Sequence, residues 1–311
     1  MNKYMNLVVK FITKYFVDSV YCIGYRQTRN FWGETVSKFH VLTPTLRYWY
    51  ADPIPVERNG KIYVFVEKYD RFRKKGYIGL SILKSNGRLS RPKTVLKADT
   101  HLSFPNIIFY KNEYYMVPET SETKKIEIFK MKDSFYHWEH YYTLDVNEKI
   151  VDVVPYIRGD DILLIGGVLK DKDPKYVKSQ IILLNRLEDV EKLSCDISYT
   201  SSEYSLKKRN GGNIYKNGGN IYRILQESTK DIYGKSLILS KILYLSSDGI
   251  EEIDVECKEV RDISALLPGF LYKKIGIHTY GCCGRNFEVI DISAAKVSIL
   301  PFIRFLKNGI K

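Results

Sequence analysis

The chain repeats one local pattern at intervals of about fifty residues, and this repeat limits its possible folds more than any other feature. Pro53, Pro105 and Pro155 lie 52 and 50 residues apart, and Gly212 follows 57 residues later. From each of these positions the sequence reads as a strand, a polar turn and a second strand. A chain built from one repeated supersecondary unit buries its apolar faces between neighbouring units. The sequence therefore predicts an array of similar units.

Short strands fill the region from residue 45 to 292. Apolar runs such as Lys61 to Val66 and Tyr77 to Ile82 are separated by turn signals such as Asn86-Gly87. Units of about fifty residues with about four strands each predict a β-propeller. Its five blades would begin near Ala51, Leu102, Asp152, Asn210 and Leu267. A β-sandwich is the competing architecture, but a sandwich has no reason to repeat at this period. We therefore expect an all-β fold, with the five-bladed propeller spanning residues 45–295.

Both ends of the chain differ from the repeats and read as basic amphipathic segments. Residues 4–22 show helical periodicity, with Leu7, Phe11 and Phe16 on one face and the lysines mostly on the other. The sequence thus predicts a short N-terminal amphipathic helix within a lead-in of residues 1–44. It also predicts a basic, apolar C-terminal tail over residues 296–311. Two interpretations stay open: these segments lie on an anionic membrane surface, or they pack against the propeller.

The composition restricts the partner and the compartment. A formal net charge of +13 favours an anionic partner, such as a phospholipid surface or a phosphorylated substrate, unless the charge only solvates the surface. No nucleic-acid-binding motif is recognisable, so no nucleic-acid partner is expected. The five cysteines show no metal-ligand spacing, and their odd number argues against a complete disulfide framework.

The sequence shows neither an apolar secretion signal at the N-terminus nor a run of roughly 18 apolar residues that could span a membrane. We therefore expect a cytoplasmic protein, with peripheral contact at the inner face of the cell membrane as a further expectation.

The repeat also predicts where a functional site would lie. In a propeller the innermost strand of each blade lines a central channel, so equivalent positions at the blade starts cluster in space. These positions carry polar and ionisable side chains: Asp52, His101, Ser103, Asp152, Arg209, Asn210 and His278. The ends of the paired strands add Glu67, Glu119, Gln226 and Glu227. Buried charges cost several kcal/mol unless they are paired, so packing alone does not select such a set.

This set of side chains suits carbohydrate chemistry. Paired carboxylates supply a general acid and a base or nucleophile. The carboxylates of the set are Asp52, Glu67, Glu119, Asp152 and Glu227. Trp49 and Tyr77 can stack on a sugar ring, and Arg209 beside two glycines can hold a phosphate or a sugar carboxylate. No cofactor or metal is predicted, since a divalent ion near His278 has no support from residue spacing.

Several motifs resemble known families. Asp52-Pro53 at the opening of a five-unit propeller resembles the family-43-like glycoside hydrolases. A closer resemblance covers nearly all of residues 50–291. It is to the propeller domain at the N-terminus of plant glucosamine inositolphosphorylceramide transferases, and to related propellers of bacterial surface-polysaccharide gene sets. The motifs that carry it are, in order, Ala51-Asp52-Pro53, Lys75-Gly76-Tyr77-Ile78-Gly79, His101-Leu102-Ser103-Phe104-Pro105, Met116-Val117-Pro118-Glu119, Phe135-Tyr136-His137-Trp138, Arg209-Asn210-Gly211-Gly212, Arg223 with Gln226, Tyr233-Gly234 and His278-Thr279.

The resemblance implies roles for individual residues. Asp52 matches the general base of the hydrolases, and Asp152 matches the aspartate that tunes the acid. The acid is left open between Glu119 and Glu227, because the family more often has Gln-Asp where this chain has Gln226-Glu227. The expected substrate-binding residues are Trp49, Tyr77, His101, Ser103, Arg209, Asn210, Arg223, Gln226, Tyr233 and His278.

Three functions stay open at this point. The first is a glycosyltransferase of surface-polysaccharide or glycolipid assembly, which moves a sugar from a nucleotide donor to a glycan or lipid-linked acceptor. The positive charge, the two basic ends and the resemblance favour it. The second is a family-43-like glycoside hydrolase with Asp52 as base. The third is a non-catalytic glycan-binding propeller that positions a partner transferase.

Overall fold

Strands and turns make up almost all of the described part of the chain. The computed structural model describes residues 16–28, 31–32, 37–170, 173–267, 274–284 and 287–299, and the positions 11, 301, 302 and 306. The helical elements described are one turn of α-helix, α1 (Val260–Ile263), and 3-10 turns at Ser121–Thr123 and Ser264–Leu266; the described positions 11, 16, 301, 302 and 306 are also helical. The strands are β1 (Val17–Gln27), β2 (His40–Leu42), β3 (Tyr48–Arg58), β4 (Lys61–Asp70), β5 (Lys75–Ile82), β6 (Lys93–Leu96), β7 (Ser103–Tyr110), β8 (Glu113–Glu119), β9 (Lys125–Met131), β10 (Trp138–Asp145), β11 (Ile150–Arg158), β12 (Asp161–Lys170), β13 (Asp173–Asn185), β14 (Ser194–Thr200), β15 (Arg209–Asn217), β16 (Asn220–Glu227), β17 (Ser236–Ser246), β18 (Gly249–Glu259), β19 (Lys274–Gly276), β20 (Tyr280–Cys283) and β21 (Phe287–Val297).

The strands form five sheets arranged around one axis. Four sheets consist of four consecutive antiparallel strands: β3–β6, β7–β10, β11–β14 and β15–β18. The first strands of neighbouring blades contact one another, and β20 of the fifth sheet completes the ring between β15 and β3. These contacts confirm the predicted all-β, five-bladed propeller. The first four blades begin within three residues of their predicted starts.

Both ends of the described chain build the fifth blade. Its strand order is β19-β21-β1-β2, with β20 also paired to β21. The N-terminal strand β1 runs antiparallel to β21 along its whole length, from Val17 opposite Val297 to Gln27 opposite Phe287. Pairing the first strand with the last closes the ring, because it leaves no gap between the end and the start of the propeller. The expected blade start near Leu267 is corrected accordingly: the described C-terminal strands of this blade begin at Lys274 and its innermost strand β20 at Tyr280, while β1 and β2 come from the N-terminal part.

The predicted N-terminal helix is wrong for residues 17–22, which belong to β1. Pairing with β21 buries Val20, Cys22 and Ile23, and the β-branched and aromatic side chains of this segment suit a strand. An amphipathic helix of this length would be marginal without tertiary packing, so the long-range pairing prevails. Strands β1 and β2 thus lie ahead of residue 45, where the propeller was expected to begin.

The remainder of the predicted helix, residues 4–10 and 12–15, lies outside the described residues, as does most of the predicted tail over residues 296–311. At the described positions, the rings of Phe16 and Phe302 stack with centroids 5.5 Å apart. Within the described ranges, no helix has the length and apolarity that crossing a membrane requires.

The core lies between neighbouring blades. One apolar cluster joins the first and second blades through residues such as Phe65 and Met116, and another joins the second and third through Ile128 and Leu164. Each sheet therefore buries its faces against the next blade. This leaves the innermost strands to carry polar groups at the axis.

Candidate functional site

A β-bulge interrupts the first strand of each of the first four blades, close to its start. The register shifts lie between Ala51 and Ile54, Ser103 and Asn106, Val151 and Val154, and Asn210 and Ile214. Within the bulges Asp52 and Asp152 both have φ of 50°, and Phe104 has 43°. Aspartate tolerates this left-handed conformation better than most residues. Bulges re-aim side chains beside functional sites, and these direct Asp52 and Asp152 towards neighbouring blades.

A ring of equivalent positions lies opposite the bulges, on the second strands. The register pairs Ala51 with Glu67, Ser103 with Glu119, Val151 with Gly167 and Arg209 with Gln226. In the fifth blade Asp291 takes the corresponding place, because its amide donates to the carbonyl of Thr279. The ring at the axis is therefore made of Glu67, Glu119, Gly167, Gln226 and Asp291.

Asp52 belongs to a buried cluster with the fifth blade. Its amide donates to Asp291 Oδ2 at 3.1 Å, and its Oδ1 accepts from the Thr279 hydroxyl at 3.0 Å. Its Oδ2 accepts from the amide of Phe104 at 3.2 Å. The His278 ring lies between two carboxylates, with Nδ1 2.6 Å from Asp291 Oδ2 and Nε2 3.6 Å from Asp52 Oδ1. Asp52 thus connects the first, second and fifth blades.

Burial and the charges in this cluster shift the pKa values of Asp52 and His278. Burial raises the pKa of Asp52 to about 7, against the opposing attraction of His278. For His278, burial alone would lower the pKa, but the carboxylates of Asp291 and Asp52 outweigh it and raise the pKa to about 9. Near neutral pH the cluster therefore holds a protonated imidazole beside a carboxyl group that exchanges its proton.

Asp152 belongs to a second cluster, where its partner is an arginine. Arg209 donates from Nε to Asp152 Oδ2 at 2.5 Å and from Nη2 to Oδ1 at 3.0 Å, a bidentate pair. Gln226 Nε2 donates to the same Oδ2 at 3.1 Å. The amide of Asp152 donates to Glu119 Oε2 at 3.0 Å. Burial raises the pKa of Asp152 to about 6, although Arg209 opposes this rise.

Aromatic rings form a continuous arc that starts beside Arg209 of the Asp152 cluster, passes His278 of the Asp52 cluster and ends in the first blade. Tyr233 lies under the Arg209 guanidinium, 5.2 Å from it, and meets His278 edge-on. The ring of Tyr21 stacks on that of His278 with centroids 4.9 Å apart, and it contacts Trp49 in a tilted arrangement. Trp49 in turn stacks on Tyr69 with centroids 4.3 Å apart. The arc ends at His101, 6.0 Å from Tyr69. Half-buried rings of this kind provide stacking surfaces beside the carboxylates.

His101 is held in one tautomer. The amide of Gly76 donates to its Nδ1 at 3.1 Å, so the ring proton lies on Nε2 and faces Glu67 Oε1 at 3.1 Å. A Cβ at Gly76 would lie 2.4 Å from the carbonyl oxygen of Leu102, so only glycine fits this approach. The position therefore combines a hydrogen-bonded histidine with a carboxylate that is 5% exposed.

Three of the predicted site residues lie elsewhere. Glu227 follows Gln226 by one residue and so faces the other side of β16, where it contacts Ser236 and Lys207. Arg223 is fully buried and ties Asn210 to Glu252. Tyr77 lies on the third strand of the first blade, beside the amino groups of Lys75 and Lys97.

The other predicted residues meet around the axis. Asp52, Glu119, Asp152, Arg209, Gln226, Tyr233 and His278 are joined by the contacts above, and Trp49 and His101 belong to the arc. Ser103 is buried opposite Glu119. Asn210 links the fourth blade to the third, because its Nδ2 donates to the carbonyl oxygen of Asp152 at 2.7 Å.

Donor atoms of Asp52, His278 and Asp291 lie within 4.8 Å of one another, close enough to hold a metal ion. However, Asp291 already accepts the amides of Asp52, His278 and Thr279, and the imidazole fills the space between the carboxylates. These contacts fit a histidine shared by two carboxylates better than a metal centre.

The matches to known proteins agree with this geometry. Residues 43–264 match the family model described as "Glucosamine inositolphosphorylceramide transferase 1, N-terminal". The chain belongs to this family. The matched segment contains the first four blades, both bulged aspartates and Arg209, whereas His278 and Asp291 lie beyond it.

One relative is the glucosamine inositolphosphorylceramide transferase 1 of Arabidopsis thaliana. It is 22% identical over 253 residues, which cover 78% of this chain. The chain spans 33% of that relative's length. The match is thus to a part of the plant protein.

Solved structures of glycoside hydrolases share the fold. An exo-β-1,3-galactanase from Phanerochaete chrysosporium superposes with a TM-score of 0.55 at 10% identity, covering 72% of this chain and 55% of that one. A family-62 α-L-arabinofuranosidase from Coprinopsis cinerea gives a TM-score of 0.51 at 10% identity, covering 87% of this chain and 97% of that one. At this identity the likeness shows a common fold.

Sequence reasoning missed three members of the site: Asp291, Thr279 as a donor to Asp52, and Tyr21. Asp291 carried a usable signal, because it is a single carboxylate in the apolar run from Val289 to Ala295. Tyr21 carried none, since its segment was interpreted as a helix.

Proposed function

We propose that this protein takes part in glycosyl transfer during the assembly of a surface polysaccharide or glycolipid. The sugar would bind where the channel opens, between the aromatic arc and the carboxylates. The observation that carries the proposal is the family match, which spans Asp52, Glu119, Asp152 and Arg209 and points to a relative named as a transferase.

The geometry suggests a separate role for each residue of the site. Asp52 has a pKa of about 7, which suits a group that takes or gives a proton near neutral pH. Glu119 is the second carboxylate, and the half-buried rings of Trp49 and Tyr21 offer a face for the sugar. Arg209 is held by Asp152, and Lys207 is paired with Glu227 outside the ring, so neither is assigned to the diphosphate of a nucleotide-sugar donor. No cofactor beyond that donor is proposed.

The acceptor in this proposal is a glycan or a lipid-linked glycan, met at the inner face of the cell membrane by a cytoplasmic protein. The net charge of +13 supports an anionic surface of this kind.

A second candidate function is glycan binding without catalysis. It is favoured by the internal hydrogen bonds, since both oxygens of Asp52 and both of Asp152 already accept from protein donors. A carboxylate satisfied in this way can orient a sugar hydroxyl without reacting. The propeller would then hold the acceptor for a partner transferase.

The test is release of nucleoside diphosphate when the full chain is mixed with a panel of nucleotide sugars and lipid-linked acceptors. We expect Asp52→Asn to lower kcat by about 100-fold or more, as removal of a general acid or base does. Glu227→Gln is the matched control, because it changes a carboxylate outside the ring, and it should retain activity.

Other outcomes would replace the proposal. Absence of product across the whole panel, with glycan binding that survives loss of both Asp52 and Glu119, would establish the binding function instead. Hydrolysis of aryl glycosides that Asp52→Asn abolishes would identify a hydrolase.

A further inference from the structure

Parts of the first and fifth blades meet at the mouth of the channel, on the face where the bulges lie. The loop of residues 45–47 leads into β3, and the turn of residues 71–74 joins β4 to β5. The start of β1 and the end of β21 lie beside them, because Val17 is paired with Val297. We call the exposed side chains of these segments the rim surface: Leu46, Arg47, Phe72, Arg73, Lys74, Val297 and Ile299.

The rim surface exposes large apolar side chains next to positive charges. Leu46 is 55% exposed, Phe72 49%, Val297 69% and Ile299 55%. Arg47, Arg73 and Lys74 are exposed between them. The acids of this region, Asp70 and Asp18, are buried and paired with Arg47 and Arg71, so the charges of Arg73 and Lys74 remain at the surface.

The two loops of the rim surface are fixed by a buried arginine. Arg71 is 2% exposed, and its Nη1 donates to the carbonyl oxygens of Thr45 and Leu46. It also forms an ion pair with Asp18 on β1, which ties the loops to the chain ends. The rim surface is therefore one connected unit.

The turn that carries Phe72 is set by Asp70. Its Oδ1 accepts from the amides of Phe72 and Arg73 at 3.0 and 3.1 Å. A carboxylate that accepts from the second and third residues after it along the chain holds a tight turn in one conformation. Phe72 is thus presented to solvent by a rigid tip, which has no explanation in the packing of the propeller.

We propose that the rim surface docks the protein on an anionic lipid membrane. Apolar side chains at rigid tips enter the boundary between headgroups and acyl chains, while adjacent arginines and lysines meet anionic headgroups. A polyanion such as nucleic acid would account for the charges but not for Leu46 and Phe72. The occupant that fits both is a membrane.

Docking in this orientation turns the channel mouth towards the lipid. Asp70 follows Tyr69 directly, and Tyr69 stacks on Trp49 of the aromatic arc. A sugar carried on a lipid would then reach the arc from the membrane side. This consequence rests on the proposed function, whereas lipid binding itself does not.

The experiment measures co-sedimentation of the full chain with vesicles, without donor or acceptor. One set is pure phosphatidylcholine, and the other contains about 30% phosphatidylglycerol, at about 0.15 M salt. We expect binding to the anionic vesicles, and a loss of about tenfold or more in the double variant Leu46→Ser, Phe72→Ser. A second variant, Arg73→Ser with Lys74→Asn, should weaken binding to anionic vesicles only. Asparagine is chosen because Lys74 has φ of 54°.

The matched control is Phe109→Ser. Phe109 is 52% exposed, close to the value for Phe72, but lies near the β7–β8 turn at the opposite face of the propeller. It should leave vesicle binding unchanged, and all variants should melt within a few degrees of the parent.

Equal binding of the Leu46→Ser, Phe72→Ser variant and the parent would overturn the proposal, whether or not glycosyl transfer is found. So would binding to a short DNA duplex that matches vesicle binding in strength and survives that substitution. Because no sugar is present, failure here and failure of the transferase assay are separate results.

Discussion

Asp52 and Asp152 occupy the same backbone motif, a β-bulge in the first strand, in two different blades. Each sits in a bulge with φ of 50°, and the amide of each donates to a carboxylate of the preceding blade, Asp291 for Asp52 and Glu119 for Asp152. Their side chains differ. Asp152 is held by both arms of Arg209, whereas Asp52 has the Thr279 hydroxyl and a histidine at 3.6 Å.

The comparison shows one backbone motif serving two electrostatic purposes. A bidentate arginine fixes Asp152 as an anion and leaves it no freedom to move. Among the described residues, Asp52 has no bidentate cation and accepts only from a hydroxyl and an amide, so its carboxyl group is freer to exchange a proton with a substrate. Under the proposed function, Asp152 therefore belongs to the framework of the site and Asp52 to its chemistry.

Breaking the Asp152 pair should have the largest effect on stability. Arg209→Met keeps most of the side-chain volume but leaves a buried carboxylate without its cation. We expect a loss of about 3–5 kcal/mol in the free energy of unfolding, measured by urea denaturation. Gln226 would then be the remaining side-chain donor described at Asp152.

The control for Arg209→Met is the double variant with Asp152→Asn, which removes the orphaned charge. It should recover part of the lost stability, since the remaining defect is a neutral hydrogen-bonding group. A loss below about 1 kcal/mol for Arg209→Met alone would contradict the assignment of Asp152 as a locked anion.

The charges of the Asp52 cluster should instead determine how the free energy of unfolding depends on pH. The pKa of His278 is about 9 in the fold, against an ordinary value of 6.5, so between these values the native protein holds a proton that the unfolded chain has released. The free energy of unfolding therefore falls as pH rises through this window, by up to about 1 kcal/mol per pH unit. Asp52, with its pKa raised to about 7, acts in the same direction between pH 4 and 7.

Urea denaturation at about pH 6.75, 7.0, 7.25 and 7.5 would measure this slope, at least about one pH unit below the ordinary cysteine pKa of about 8.5. His278→Gln should flatten it, whereas Glu227→Gln should leave it unchanged. A parent protein whose stability is constant over this range would refute the charged state assigned to His278.

Much of the fold could be predicted because each blade of a propeller repeats the same pattern of strands and turns along the sequence. Four blade starts followed from the spacing of Pro53, Pro105, Pro155 and Gly212 alone. The fifth blade could not, since it depends on pairing Val17 with Val297, and a local pattern carries no information about a partner so distant in sequence.

Blade equivalence selected positions that lie near the axis, but it did not separate Gln226 from Glu227. Asp52 and Asp152 both followed from the repeat. In the fourth blade the bulge from Asn210 to Ile214 spans more residues than those of the other blades. Consecutive residues of β16 face opposite sides of the sheet, and Gln226, opposite Arg209, is the one that joins the ring.

The smallest effect is expected at that neighbour, Glu227. Its carboxylate accepts from Ser236 and pairs with Lys207, whose side chain is 57% exposed, so solvent screens the interaction. Glu227→Gln should change the free energy of unfolding by less than about 0.5 kcal/mol and leave both sugar binding and the pH slope intact. Gln226→Leu, one residue earlier, removes a buried donor to Asp152 and should cost about 1–2 kcal/mol. If the two substitutions had equal effects, the register would be wrong by one residue, and Glu227 would return as the carboxylate that faces the channel.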